Sequence, residues 1–190
     1  YQRSRGLGDV YKRQIMANVD HNVSLISGIH DLLPNRTGGA VMQNNLEILG
    51  DIKYTDEEIM FAHEMQENNG KPKLGIDGKI RSLRETLESP GGGSTDVGDV
   101  SYNVPVVSLA ATTAPKGVPW HSWSVVASSG MSIGHKGMLH AAKALGMTMV
   151  DIFKDEKLRV KIRQEFDERL GDYQYDPFLN PGPPPLDYKD

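Results

Sequence analysis

Apolar residues occur along this chain in short bursts separated by glycine, proline and acid, and the bursts differ in period. Between Asn22 and Ile29, Val23, Leu25 and Ile29 alternate with polar neighbours, and this near-twofold period predicts a strand. Pro34 stops it, because proline has no N–H to donate and restricts the residue before it. Val41, Leu46 and Leu49 predict a short helix over Ala40 to Leu49, with Gly50 as its C-terminal cap. Thr55-Asp56-Glu57-Glu58 reads as a capping box whose acids complement the helix dipole, and the helix it opens is expected to break at Asn68-Asn69-Gly70. Pro105 to Ala111 is a short apolar run of the kind found in strands buried on both faces. Ser132 is placed to cap a long helix in which Leu139, Ala142, Leu145, Met149 and Ile152 share a predicted core face. Asp155 is placed to cap a last helix striped by Leu158, Ile162, Phe166 and Leu170 and ended by Gly171.

The segments between these elements are polar. Lys71 to Pro90 reads as a surface loop or a connection. From Tyr175 the sequence DPFLNPGPPPLDYKD is predicted to be extended, since its prolines remove donors and fix φ. No apolar run reaches the ~18–20 residues a membrane helix needs. A net charge of −4 without a basic block argues against a nucleic-acid partner. The absence of cysteine excludes disulfides and thiolate metal sites within the chain. Asp9 to Gln14 reads DVYKRQ, the translation of GATGTGTATAAGAGACAG, which resembles the end of a transposase adaptor used in preparing sequencing libraries. Residues 1–14 are therefore expected to be adaptor-derived, with natural sequence beginning near Ile15 in mid-protein.

Candidate chemistry concentrates between Gly91 and His140. His121 follows the apolar run and a Pro-Lys-Gly-Val-Pro turn and is flanked by Trp120 and Trp123. Imidazole is a common metal ligand and sheet-end loops often carry ligands, so His121 is either a metal ligand or a ring packed in an aromatic cluster. His135 and Lys136 lie in the first turn of the long helix, where a cation opposes the dipole. Either an anionic substrate group or the acids of the Gly91 loop supply a partner, or both side chains face solvent. His140 is five positions from His135 and does not share its face, which points to a structural role. The loop Gly91 to Asp96, including Gly93, Ser94, Thr95 and Asp96, offers free backbone N–H groups suited to a carboxylate or oxyanion, or it is simply a turn. Asp96 and Asp99 are placed to orient a nearby histidine or lysine. His63, with no second ligand four positions away, reads as a surface or half-buried histidine.

Taken together, DLLPNRT (31–37), GSTDVGDVSY (93–102), VPWHSW (118–123) and SIGHKGMLHAAK (132–143) resemble the C-terminal part of the M-20 peptidase family of zinc-dependent amidohydrolases. The resemblance spans nearly all of Ile15 to Leu170. It implies an α/β fold: residues 15–33 as the end of a lid or dimerisation domain, 34–173 as the C-terminal part of a catalytic domain with a partial sheet flanked by helices, and 174–190 as a proline-rich tail. It also implies hydrolysis of an amide bond of an N-acyl or p-aminobenzoyl amino acid by water activated on two zinc ions, with manganese as the alternative. His121 matches the last metal-binding histidine of the family pattern. Asp96 falls at a supporting acid, and Gly93, Ser94, Thr95, His135 and Lys136 fall on the substrate side or behind the metal ligands. The substrate would be a small acidic amide, the parent a homodimer or hetero-oligomer, and its location cytoplasmic. The family's other metal ligands and its glutamate base have no counterpart in this sequence, so the chain is expected to be an inactive fragment. A different class of reading is a non-catalytic domain that binds a small anion or assembles with a partner subunit.

Overall fold

The structure is a computed structural model that describes residues 12, 15–19, 28–83, 95–179 and 182. The chain divides into two compact units: His30–Tyr175, and a smaller one formed by Tyr1–Ile29 with Asp176–Asp190. In the smaller unit the described backbone is helical over residues 15–17, and Gly28 lies against the side chain of Phe178.

The larger unit is helical. Its elements are α1 (Arg36–Leu49), α2 (Asp56–Asn68), α3 (Val97–Ser101), α4 (Trp123–Ser129), α5 (Ser132–Lys154) and α6 (Glu156–Leu170). Among the described residues there is no strand, only one parallel bridge between Pro34 and Val106. This overturns the α/β expectation. The extended run beyond Pro105 meets a second extended segment at a single residue, and that residue is a proline with no N–H, so no ladder propagates from it. The run packs against helices instead: the Val107 side chain fills the space a Cβ would take at Gly38 of α1, and the Thr112 carbonyl does the same at Gly137 of α5. Of the strand predicted at Asn22 to Ile29, only residues 28 and 29 are described, and neither is in a strand.

Local sequence accounts for the helix ends. α1 starts four residues before the predicted Ala40 because Asn35 caps it, its Oδ1 accepting from Gly38 N at 2.8 Å. Gly50, at φ 73°, ends it. At α2 the capping box forms as read: Thr55 Oγ1 accepts from Glu58 N at 3.3 Å, and Glu58 Oε2 accepts from Thr55 N at 2.7 Å. Asp155 caps α6, accepting from Leu158 N at 3.1 Å, and Ile162 and Phe166 of the predicted stripe are buried.

The start of α1 also receives a cap from another helix. Glu165 of α6 accepts from Arg36 N at 2.8 Å and Thr37 N at 2.6 Å, so a carboxylate sits on orphan donors at the positive end of α1. Burial works against this charge, but the bonds from Thr37, Arg36 and Arg169 outweigh it and hold the carboxyl down at about 2. Its folded value lies below the ordinary 4.5, so its stabilisation is present above that value and is lost as pH falls toward about 2. Glu165→Gln is expected to cost about 1–2 kcal/mol at neutral pH, after allowance for solvent screening. The difference in urea midpoint from the parent chain should close progressively as pH falls through that window.

α5 packs against α1, α4 and α6, and the face it buries is not the predicted one. Ile133, Gly134, Gly137, Ala144 and Thr148 are inside, whereas Leu139, Leu145 and Met149 are exposed. Met138, Val150 and Phe153 join them on the outer side, Phe153 at 75% exposure. Apart from a narrow polar stripe of Lys136, His140, Lys143, Asp151 and Lys154, α5 is apolar, so periodicity leaves more than one orientation open for its inner face. Small residues chose it, because they let the neighbouring backbone approach. Among the described residues no helix is long and apolar enough to cross a membrane.

Candidate functional site

The turn carrying His121 is held from one end of α2. Gln66, fully buried, donates from Nε2 to the carbonyls of Gly75 (2.9 Å) and Lys116 (2.8 Å) and accepts from Gly75 N at 3.0 Å. Lys116 N donates to the Gly75 carbonyl at 3.0 Å, and Gly117 turns the chain at φ 78°. Beyond the turn, Ser122 Oγ donates to the Pro119 carbonyl at 2.6 Å. Asn69, the C-cap of α2, donates to Ser124 Oγ at 2.7 Å. Between these fixed points His121 adopts φ 59°, a left-handed conformation that costs a non-glycine residue about 1–2 kcal/mol. Its side chain is exposed, and so are Trp120 (70%) and Trp123 (58%), so the indoles do not enclose the imidazole.

Of the predicted loop, Gly93 and Ser94 lie outside the described residues. Thr95 and Asp96 are exposed at the start of α3, where Thr95 Oγ1 accepts from Val97 N at 3.3 Å and Asp96 makes no side-chain cap. His135 is exposed on the first turn of α5. Lys136 has the partner its position demanded, but that partner is a carboxylate of the chain itself. Its Nζ lies 2.6 Å from Glu58 Oε2, donates to the Lys53 carbonyl at 3.0 Å, and sits 5.5 Å from the centroid of the Tyr54 ring. Burial raises the Glu58 carboxyl, yet hydrogen bonds from Lys136, Ser132 and Thr55 bring it below its ordinary value. Burial first, and then the charges of Glu58 and Asp77, push the Tyr54 phenol up to about 12. No side-chain hydrogen bond or ion pair among the described residues joins His121, Asp96, His135 and Lys136. His140 Nε2 is buried without a hydrogen-bond partner.

The most tightly bonded imidazole among the described residues was not singled out by the sequence. His30, buried, places Nδ1 2.6 Å from Asp99 Oδ1 and Nε2 2.7 Å from the Tyr173 hydroxyl. An ionised Asp99 can only accept, so Nδ1 of His30 carries a proton and donates to it. Tyr175 Oη also donates to Asp99 Oδ1, at 3.3 Å, and the Tyr102 and Tyr175 rings lie 5.0 and 5.3 Å from the imidazole. The bond from His30 is the main cause holding the Asp99 carboxyl below its usual range. Burial, with Asp31 bonded at 2.7 Å, pushes Tyr102 up to about 12. Of Asp96 and Asp99, it is Asp99 that orients a histidine, one 69 positions away in the chain. That histidine comes from before Pro34, Tyr102 from the end of α3, and Tyr173 and Tyr175 from after α6, so no local motif connects them.

Among the described residues no group of three or more His, Asp or Glu side chains is gathered to hold a metal ion. With one exposed imidazole as donor, these residues do not by themselves fit a zinc centre, which takes about three protein ligands.

Comparison with known proteins relates the chain to the M20-like amidohydrolases, the family its motifs resemble. The relative that shows this is a subunit of the p-aminobenzoyl-glutamate hydrolase of Escherichia coli (strain K12), 34% identical over 157 residues. The match takes in 70% of this chain and 33% of that protein, so the chain spans about a third of its relative's length. No family model and no solved structure matches the chain.

Proposed function

We propose that this chain is part of a hydrolase that cleaves an amide bond of an N-acyl or p-aminobenzoyl amino acid, and that it is inactive alone. The reading is carried by the 34% identity to a protein named as a p-aminobenzoyl-glutamate hydrolase subunit. Two further observations support it. The chain spans a third of that relative, and α5 exposes an apolar face of a kind monomeric proteins seldom leave open. In this reading His121 supplies one imidazole donor to a metal site, zinc or manganese, whose remaining ligands and general base lie on polypeptide outside this chain. The metal would activate the attacking water. The left-handed backbone at His121 fits a residue whose geometry is fixed for a task. The relative's designation as a subunit extends the proposal to assembly with a second kind of chain.

The test uses a full-length protein that contains this chain. His121→Ala should lower its hydrolysis of p-aminobenzoyl-glutamate by more than the roughly 10–100-fold that loss of an outer-sphere partner costs. Turnover unchanged by that substitution would overturn the role given to His121. A whole protein that fails to hydrolyse any N-acyl or p-aminobenzoyl amino acid would overturn the class.

A further inference from the structure

We propose that Gln66 and Asn69 are positioning residues: a two-point brace at the end of α2 that holds the His121 turn and keeps its backbone left-handed. The inference deepens the reading of His121 given above. The two side chains lie three positions apart and so share a face of α2 and its cap. One fixes the chain before the histidine and the other fixes it after. Gln66 reaches the Lys116 carbonyl, five residues ahead of His121. Its amide is fully used, with both donor bonds and the acceptor bond directed at Gly75 and Lys116. Asn69 holds Ser124, the second residue of α4, while keeping its bond to the Met65 carbonyl at 2.7 Å. Ser124 is itself fully buried, and its carbonyl accepts from Ser128 Oγ at 2.7 Å, so the point that Asn69 grips is rigid.

Physical necessity links the brace to the histidine. Among the described residues no hydrogen bond of the His121 side chain compensates its φ of 59°, so the strain is sustained by the anchoring of the segments on either side. The Ser122–Pro119 bond closes the turn but spans only the turn itself. The Lys116–Gly75 backbone bond is a further tie ahead of the histidine, and among the described residues the side-chain bonds that tie this turn to α2 come from Gln66 and Asn69. Release of either end would let His121 relax to the right-handed or extended basin and swing its imidazole away.

The test is solution NMR on the full 190-residue chain carrying ¹⁵N-histidine, which reports six amides. In the parent chain the His121 amide should show the strong intraresidue HN–Hα cross-peak of a left-handed residue, well above that of helical His63. In Asn69→Ala and in Gln66→Met the peak should fall to the His63 level while cooperative unfolding is retained. Asn68→Ala, an exposed neighbour, should leave it unchanged. If Gln66→Met does not fold, Asn69→Ala, at a half-buried helix cap, still decides the matter. A His121 peak that stays strong in Asn69→Ala, or that is already weak in the parent chain, overturns the brace. The readout involves neither metal nor turnover, so the brace can stand if the hydrolase reading fails, and the reverse also holds.

Discussion

Lys136→Met is expected to destabilise the folded chain by about 3 kcal/mol, because it leaves Glu58 buried without its counter-ion. The pair joins the first turn of α2 to the first turn of α5, and Glu58 is only 7% exposed at its side chain. Glu58 is also the second half of the α2 capping box, so it cannot turn outward without releasing Thr55 N. The double substitution Glu58→Gln with Lys136→Met removes both charges and should recover more than half of the loss. Unfolding in urea, followed by far-ultraviolet circular dichroism, measures both. The pH dependence supplies a second check. In the parent chain the folded Glu58 carboxyl is lowered, so the pair stabilises above the ordinary value of 4.5 and is lost as pH falls through the folded value. In Lys136→Met the remaining burial raises that carboxyl, so acid relieves the penalty. The gap between the two proteins should therefore narrow below about pH 4.5 and stay at its widest near neutrality. A lysine held only for an anionic substrate would give a small loss of stability with no such pH signature.

What the sequence disclosed, and what it did not, follows from the range of the interactions involved. Caps are local: Thr55 with Glu58, Asp155 with Leu158 and the glycines at 50 and 171 are decided within a few residues, and each was legible. The stripe of α6 was legible because its polar face is strongly charged and Leu158, Ile162, Phe166 and Leu170 share one face, with only Val160 apolar outside it. α5 has only a narrow polar stripe, so its apolar spacing fits several orientations, and the expected one is not the one it adopts. The run Pro105 to Ala111 had the composition of a doubly buried strand. Composition does not provide a neighbouring strand, and among the described residues the only pairing falls on a proline. At the candidate site, His121 and Lys136 were both singled out from their local settings. The partners that explain them, Gln66 and Asn69 for one and Glu58 for the other, lie far away in the chain. His30 carries no local signal for the same reason, since its partners come from α3 and from beyond α6.

The inner face of α5 makes a sharp prediction about two glycines of one helix. A Cβ at Gly137 would overlap the Thr112 carbonyl oxygen and press on Thr113 Cγ2 at 3.0 Å, whereas at Gly146 nothing lies within 4 Å. Both are helical, so alanine gains about 1 kcal/mol of helix propensity at either position. At Gly146 that gain is unopposed, and Gly146→Ala should stabilise by about 0.5–1 kcal/mol. At Gly137 the obstacle is main chain rather than the end of a flexible side chain, and relief requires α5 and the extended segment at Thr112 to separate. Overpacking of this kind costs about 1–3 kcal/mol and at times more. Gly137→Ala should therefore lose about 2 kcal/mol net, despite making the better helix. The sign difference is the test: equal effects at the two positions in thermal or urea unfolding would show that α5 does not press against Thr112. The separation would also be felt at the candidate site. Thr112 leads into the turn that Gln66 grips at Lys116, and α5 directly follows the helix that Asn69 grips at Ser124. Gly137→Ala should thus weaken the left-handed His121 cross-peak as well as the fold, while Gly146→Ala leaves that peak untouched.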